Sequence, residues 1–338
     1  MSTTTNSPTQ RGARIGVLGI GSYLPSQVIT NDMLADRAGV TDEWIIRKTG
    51  IVTRRAVGPD EATSDLALNA ARAALEDAGI SPAQLSLIIV GTATPDMAGP
   101  SVASLTALAL ECPTTTGTFD IQAACAGFLT AVDMASTYLS VRGGYALVIG
   151  ADTYSRFRNY EDRRTTALWG DGAGAVVLGP ADGDSGLLAT RITSFPVDSE
   201  VGGIPAGGSR LPASHETVDA GQHYVRMNGR RIMEIFQEHI PQMSKDFLHD
   251  AGQELEDIDH IVPHQGNQRM VESLPELLGF TRPRLHASAR DFGNTGSASI
   301  PVTLDRAVRR GAIASGETVL MVSIGAGMTF GFALLRWK

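Results

Sequence analysis

The chain of 338 residues carries one pattern of segments twice, and this internal repeat restricts the fold more than any other feature. The segment at 75–97, LEDAGISPAQLSLIIVGTATPDM, matches LHDAGQELEDIDHIVPHQGNQRM at 248–270 at a constant offset of 173. The segment at 124–135, ACAGFLTAVDMA, matches GSASIPVTLDRA at 296–307 at an offset of 172. Each match is short, but two matches at nearly one offset predict a duplicated α/β architecture.

Runs of apolar residues in the sequence are typical of strands that are covered on both faces. They lie at 14–25, 85–95, 145–152, 173–180, 260–264 and 318–325. Helical patterns lie between them, such as those at 64–79 and 231–252, and Pro241 predicts that the second is kinked or broken. Each half therefore shows helix, strand, turn, helix and strand in the same order.

The chain is long enough, with 43% hydrophobic residues, for one large domain or two closely packed ones. We expect a disordered polar tail at 1–13, an N-terminal half at 14–183 and a C-terminal half at 184–338. The tail lacks the apolar core of a signal peptide, and no run approaches the roughly 20 apolar residues that span a membrane. We therefore expect a cytoplasmic protein without a membrane partner.

The charge and cysteine content exclude several function classes. A net charge of −8 and a pI of about 5.4 give no reason to expect a nucleic-acid partner. The two cysteines, Cys112 and Cys125, form neither a disulfide framework nor a C-x-x-C metal pattern. Cys112 follows an apolar helix and is interpreted as structural.

Cys125 stands where an apolar segment runs into small residues and a helix begins, in FDIQAACAGF. Small neighbours keep other side chains away from its sulfur. The amino terminus of the following helix would stabilise a thiolate through its dipole and free N–H groups. A small buried core thiol is the alternative interpretation.

Two further polar residues occupy turns in the second half. His264 follows an apolar strand, and Asn294 precedes the helix that is equivalent to the cysteine's helix. A hydrogen-bonded core histidine and a turn-forming or helix-capping asparagine are the alternatives. Because ligands bind beyond the carboxyl ends of strands in open α/β sheets, a pseudo-twofold repeat could bring Cys125, His264 and Asn294 together.

The glycine-rich segments do not indicate a nucleotide site. GIGSYLP lacks the third glycine of a dinucleotide fingerprint, and GDGAG at 170–174 comes before a strand, whereas phosphate loops follow one. We predict that GDGAG is a tight turn that leads into a buried strand. SIGAGMTFG at 323–331 is the better candidate for a backbone N–H donor near Cys125.

Six motifs together resemble the β-ketoacyl-acyl carrier protein synthase III family. They are DEWIIRKTGI, AACAGF, WGDGAG, VPHQGN, GNTGSASIP and GAGMTFG. The resemblance extends from about Arg14 to Trp337, which is nearly the whole chain. It implies the thiolase-like fold, a duplicated α-β-α-β-α arrangement of five layers that agrees with the internal repeat.

The resemblance also implies the catalytic residues. Cys125 would be the nucleophile that takes an acyl group from acyl-CoA, and the backbone N–H groups of Cys125 and Ala326 would form the oxyanion hole. His264 and Asn294 would stabilise the enolate that remains when a malonyl thioester loses CO2. An aspartate at position 294 could not donate in this way at neutral pH.

The same resemblance assigns the substrate entrance. Trp44 and Arg163 would hold the CoA adenine between them. Gly229 and Arg230 lie at a pantetheine contact, although Arg230 replaces the asparagine of the best-known pattern. Arg269 matches a position that meets the acidic carrier protein.

Two departures from the family pattern concern specificity. Gly99 stands where relatives often carry a bulky residue that crosses the dimer and limits the acyl pocket, so a larger pocket is expected. Glu234 stands where a carrier-binding lysine is common.

We therefore expect a homodimeric condensing enzyme that uses acyl-CoA and malonyl-acyl carrier protein, needs no cofactor or metal, and primes fatty acid or polyketide synthesis. The closest alternative is an acyltransferase that moves an acyl group from CoA to a carrier protein or a hydroxyl without forming a carbon–carbon bond. A catalytically silent partner subunit is a third possibility, but it would not need all three site residues.

Overall fold

Two five-stranded sheets form the centre of the molecule. The computed structural model describes residues 14–195, 201–280 and 283–338; the tail predicted at 1–13 lies outside them. The strands, in chain order, are β1 (Ile15–Tyr23), β2 (Gln27–Thr30), β3 (Thr53–Ala56), β4 (Leu85–Gly91), β5 (Gly117–Ile121), β6 (Tyr145–Thr153), β7 (Asp171–Pro180), β8 (Gly186–Ser194), β9 (Gly202–Gly203), β10 (Arg226–Met227), β11 (His260–Pro263), β12 (Arg284–Leu285), β13 (Thr318–Gly325) and β14 (Thr329–Arg336).

The two large sheets have the same topology. The first has the order β5-β4-β6-β7-β1, and the second has the order β12-β11-β13-β14-β8. In each sheet, in this order, the first two pairs of neighbouring strands are parallel and the last two pairs are antiparallel. The duplication that the sequence predicts is therefore confirmed strand by strand. We propose a boundary between the two halves after residue 183.

Helices cover both sheets and fill the space between them. They are α1 (Asp32–Ala38), α2 (Asp42–Thr49), α3 (Thr63–Ala78), α4 (Val102–Ala109), α5 (Gly127–Arg142), α6 (His215–Asp219), α7 (Gly229–Asp250), α8 (Gln268–Leu278), α9 (Ala289–Phe292) and α10 (Ser299–Arg309). The helix α7 continues through Pro241, so the break considered from the sequence is absent.

The layers follow from which helix faces are apolar. Helices α5 and α10 share one buried core with both sheets, where Phe128 and Leu129 of α5 and Ile300 and Leu304 of α10 are at most 1% exposed. Helices α3 and α4 pack on the outer face of the first sheet, and α7 and α8 pack on the outer face of the second. The result is the predicted five-layered α-β-α-β-α fold.

The apolar sequence of helix α5 is explained by its position at the centre of the fold. The segment Ala124–Arg142 is long and apolar enough to cross a membrane by length and composition. In the fold, however, α5 lies between the two sheets, and burial against both of them accounts for the apolar residues on its inner faces.

The segment GDGAG does not form the tight turn that the sequence suggests. Strand β7 begins at Asp171, so most of the segment is already strand. A methyl group on Gly174 would lie 2.7 Å from Cβ of Pro301 and 2.8 Å from the backbone nitrogen of Val302. Glycine is needed because α10 packs directly on the strand at this point.

Candidate active site

Cys125 lies on a sharp turn between β5 and α5. A single 3-10 turn, Ala124–Ala126, leads into the helix, and the N–H of Ala126 donates to the carbonyl oxygen of Ala123. Ala124 has φ of +46°, a left-handed conformation that non-glycine residues rarely adopt. Backbone strain of this kind is found at sites where a side chain must be presented in one direction.

The protonation of Cys125 differs from the expectation. Although the side chain borders a cavity, the surrounding protein desolvates it, and burial raises the pKa of the Cys125 thiol to about 12. The negative charge of Asp152 raises this pKa further, and hydrogen bonds from the Cys125 backbone and the Asn294 side chain lower it. Burial and the charge of Asp152 therefore favour the thiol in the resting site, in the direction opposite to the predicted effect of the helix terminus.

His264 enters the site from the second sheet. It follows β11, and its backbone N–H donates to the carbonyl oxygen of Val322 at 2.7 Å. The side chain is 5% exposed, and burial lowers the pKa of His264 to about 4. The imidazole is therefore neutral at pH 7. Its Nδ1 lies 2.8 Å from Oγ of Ser299.

Asn294 is held by backbone pairing with the first half. Its N–H donates to the carbonyl oxygen of Leu168, and its own carbonyl oxygen accepts from Gly170. The side-chain Oδ1 accepts from the N–H of Gly296 at 2.9 Å. The amide NH2 is therefore the end of the side chain that can donate toward Cys125.

Asp152 ties the two halves together beside these residues. Its Oδ1 accepts from the hydroxyls of Thr92 and Thr94 and from the N–H of Ala93, and its Oδ2 accepts from the N–H of Ser297 at 2.7 Å. Burial raises the pKa of Asp152 to about 6, although these donors act in the opposite direction. Asp152 is not among the residues predicted from the sequence, although an acid at the end of an otherwise apolar strand is a signal that could identify it.

The three candidate catalytic residues border one cavity of about 530 Å³, formed between the two halves. Its apolar lining includes Tyr154, Trp169, Ile204, Val225, Met227, Ile232, Met233 and Met328. Tyr154 and Trp169 stack with ring centroids 4.2 Å apart. The cavity can therefore hold an apolar group next to the thiol.

The last glycine segment contacts the turn that carries Cys125, as the sequence suggests. Gly325 and Ala326 both border the cavity. A methyl group on Gly325 would lie 2.4 Å from the carbonyl oxygen of Ala123 and 3.2 Å from the backbone nitrogen of Cys125. Only a glycine allows the two backbone segments to approach this closely.

The residues predicted for the entrance lie mostly at the surface. Gly229 borders the cavity, whereas Trp44 on α2 and Arg163 lie outside its lining. Trp44 is half-buried and Arg163 is exposed. Arg230 is 90% exposed at its side chain and forms an ion pair with Glu234 at 3.0 Å.

The remaining predicted residues are also exposed. Gly99 lies in the loop before α4, and a methyl group on it would meet no atom within 4 Å. Arg269 on α8 pairs with Glu272 at 3.3 Å. In the parts of the chain that the structure describes, no group of three or more His, Cys, Asp or Glu side chains is arranged to hold a metal ion.

The chain as a whole is similar to known condensing enzymes. The family model for 3-oxoacyl-[acyl-carrier-protein] synthase III matches residues 119–196, and the model for the C-terminal part of that enzyme matches 248–337. An acetoacetyl-CoA synthase from Streptomyces sp. strain CL190 is 46% identical over 96% of this chain and 99% of its own length.

Two further relatives agree. A β-ketoacyl-[acyl-carrier-protein] synthase III from Caldanaerobacter subterraneus subsp. tengcongensis is 39% identical over 96% of this chain and 98% of its own. The crystal structure of the priming β-ketosynthase from the R1128 polyketide biosynthetic pathway superposes with a TM-score of 0.88 at 31% identity, with 99% of each chain covered.

Proposed function

The chain belongs to the 3-oxoacyl-[acyl-carrier-protein] synthase III family of acyl-transferring condensing enzymes, and from that premise we propose that it condenses an acyl-CoA with a malonyl thioester through Cys125, His264 and Asn294. The observation that carries this proposal is the cavity in which both halves combine a thiol with two neutral hydrogen-bond donors. A thiol can hold an acyl group, and neutral donors stabilise an enolate.

The first half-reaction transfers the acyl group to the enzyme. The Sγ of Cys125 attacks the thioester carbonyl carbon, a new carbon–sulfur bond forms, and the bond to the CoA sulfur breaks. Because burial raises the pKa of the Cys125 thiol to about 12, its proton passes to the departing CoA sulfur as the attack proceeds, and CoA leaves as the free thiol. The N–H groups of Cys125 and Ala326 form the proposed oxyanion hole, supported by the close contact at Gly325.

The second half-reaction forms the carbon–carbon bond. The malonyl carboxylate leaves as CO2, and its bonding electron pair becomes the enolate of the remaining thioester. Neutral His264 and the amide of Asn294 donate to the enolate oxygen. The enolate carbon attacks the acyl group on Cys125, the bond to Sγ breaks, and the freed thiolate takes one proton to restore the resting enzyme.

We assign malonyl-acyl carrier protein as the extender, with the product priming fatty acid or polyketide synthesis. Malonyl-CoA is the second candidate, since the relative from Streptomyces is named an acetoacetyl-CoA synthase. The ion pairs of Arg230 with Glu234 and of Arg269 with Glu272 also reduce the positive charge available to an acidic carrier. The ratio of kcat/KM for the two malonyl thioesters decides between them.

The CoA contacts of Trp44, Arg163, Gly229 and Arg230 are part of this proposal, and Gly229 has the support that it borders the cavity. The reaction requires no cofactor, because each bond is made and broken between the substrates and a thiol. A cytoplasmic location would supply these substrates.

The proposed assembly is a homodimer formed along β5. This strand is at the edge of the first sheet, and its Phe119 is 43% exposed. Met97 and Leu108 on neighbouring segments are 49% and 77% exposed. An uncovered edge strand with apolar side chains favours pairing with a second copy. Such pairing would also bring Gly99 against the partner, as the proposed role in the acyl pocket requires.

Intact mass spectrometry after exposure to a panel of acyl-CoAs tests the function. The wild type should gain one acyl mass, and a malonyl thioester should then remove it with release of one CO2. Cys125→Ala should gain no acyl mass, whereas the control Cys112→Ala should behave as the wild type. An adduct that leaves without CO2 would indicate a non-condensing acyltransferase, and no adduct from any donor would indicate a silent subunit.

A further inference from the structure

The first residue of α10 makes a contact that no part of the proposed mechanism uses. Oγ of Ser299 lies 2.8 Å from Nδ1 of His264 and accepts a hydrogen bond from the N–H of Gln265 at 3.3 Å. All three residues are buried, with Ser299 1% and Gln265 0% exposed. Water therefore does not compete for these hydrogen bonds.

The direction of the contact follows from the number of donors. A hydroxyl has one proton to donate, and the N–H of Gln265 can only donate. If Nδ1 of His264 also carried a proton, Oγ would accept from both neighbours and its own proton would need a third partner. Within residues 14–195, 201–280 and 283–338, Oγ of Ser299 has no hydrogen-bond partner other than Nδ1 and this N–H. The hydroxyl therefore donates to Nδ1.

We propose that Ser299 is a positioning residue that holds His264 in the tautomer protonated at Nε2. His264 borders the cavity, and Nε2 lies 3.5 Å from the position of a methyl group on Gly266, which also borders it. Which ring nitrogen of a histidine carries the proton is set by the hydrogen bond that the other nitrogen makes. The nitrogen that faces the cavity is then a donor.

This tautomer has a consequence for both half-reactions. An Nε2–H can donate to the enolate oxygen when CO2 leaves, but it has no lone pair with which to remove the proton of Cys125. His264 therefore acts in condensation and not as the base of the acylation step. The inference rests on the proposed condensing function and adds to it the residue that selects the active form of the histidine.

Ser299→Ala tests the role, with Ser297→Ala as the matched control. The Ser297 hydroxyl is buried two residues earlier and has no hydrogen-bond partner among the residues that the structure describes. In Ser299→Ala we expect CO2 release from the acylated enzyme to fall about 10- to 100-fold, by analogy with the loss of a hydrogen-bond partner that orients a metal-bound histidine. Acylation of Cys125 should proceed at the wild-type rate, and Ser297→Ala should retain both steps.

The tautomer itself is measured by long-range 1H–15N correlation NMR on protein labelled with 15N-histidine, in which His264→Ala identifies the signal. The wild type should show a protonated Nε2 and an unprotonated Nδ1, and Ser299→Ala should lose this single state. A protonated Nδ1 in the wild type would overturn the inference even if a variant fails to fold. Full CO2 release by Ser299→Ala, or an equal loss in Ser297→Ala, would also overturn it.

Failure of the proposed function gives a different result. A wild-type enzyme that releases no CO2 from any malonyl thioester refutes condensation, while the NMR spectrum still shows whether Ser299 fixes the tautomer.

Discussion

Replacing Asn294 by aspartate changes one donor atom at the centre of the site and leaves the shape of the side chain intact. Oδ1 of Asn294 accepts from the N–H of Gly296 at 2.9 Å, and a carboxylate keeps this bond. The amide NH2 becomes an oxygen that can only accept. The variant should therefore fold and acylate Cys125, but it should stabilise the enolate poorly.

The magnitude follows from the loss of one preorganised donor to a developing oxyanion. Such a loss costs about 10²- to 10³-fold in rate, or about 3–4 kcal/mol of transition-state stabilisation. Asn294 is only 4% exposed, so burial and the nearby charge of Asp152 should raise the pKa of the new carboxyl. Below that pKa the neutral acid can donate again, and CO2 release should recover as the pH falls.

The assay is single-turnover CO2 release from pre-acylated enzyme across the pH range 5 to 8.5. The control is Asn267→Asp, which places a carboxylate on the same cavity. Oδ1 of Asn267 caps α8 by accepting from the N–H of Met270, and aspartate caps helices equally well. This control should release CO2 far faster than Asn294→Asp. Wild-type CO2 release by Asn294→Asp at pH 8 would refute the donor role.

Three further perturbations test the packing, the pH dependence and the assembly. Gly325→Ala should lower the free energy of unfolding by about 1–3 kcal/mol, because its methyl group would lie 2.4 Å from the backbone oxygen of Ala123, next to Cys125. Urea denaturation measures this loss. The control Gly203→Ala should lose far less stability, because a methyl group on Gly203 would meet no atom within 4 Å. Burial lowers the pKa of His286 to about 4 from its usual 6.5, so the stability present above pH 6.5 should be lost as the pH falls toward 4. The midpoint of urea denaturation, measured across this pH range, should decline less steeply in His286→Gln than in the wild type. An equally steep decline in the variant would show that His286 is not the cause. Phe119→Glu should convert the proposed dimer to monomer in light scattering, whereas Val218→Glu on α6 should not, and a wild-type monomer would rule out the β5 interface.

Much of the fold could be predicted because its signals are local and repeated. Apolar runs and helical periodicity are set by burial on one or both faces of an element, and they recur at one offset along the chain. The short strand β12 gave no such signal, because it has only two residues and pairs through its backbone. The tight turn predicted for GDGAG is wrong, because glycine favours turns locally, whereas Gly174 lies in a strand and allows α10 to pack directly against it.

The site was predictable as far as residue types and positions were concerned. His264 follows an apolar strand, and Cys125 and Asn294 stand at the turns before the two helices that the repeat makes equivalent. Trp44, Arg163, Gly99 and Arg269 are different, because their proposed roles depend on a substrate or a partner chain. For these residues the fold of one chain supplies only a surface position.

The sequence by itself determined the duplicated architecture and the residue types of the proposed nucleophile and donors. The tertiary structure decided their surroundings: burial raises the pKa of the Cys125 thiol and lowers the pKa of His264, and folding brings His264 into contact with Ser299, which lies 35 residues away in the chain. The physical reason is that the apolar periodicity that predicts helices and strands depends only on residues close together in the sequence. Desolvation and the choice of hydrogen-bond partner depend on groups that only folding brings together.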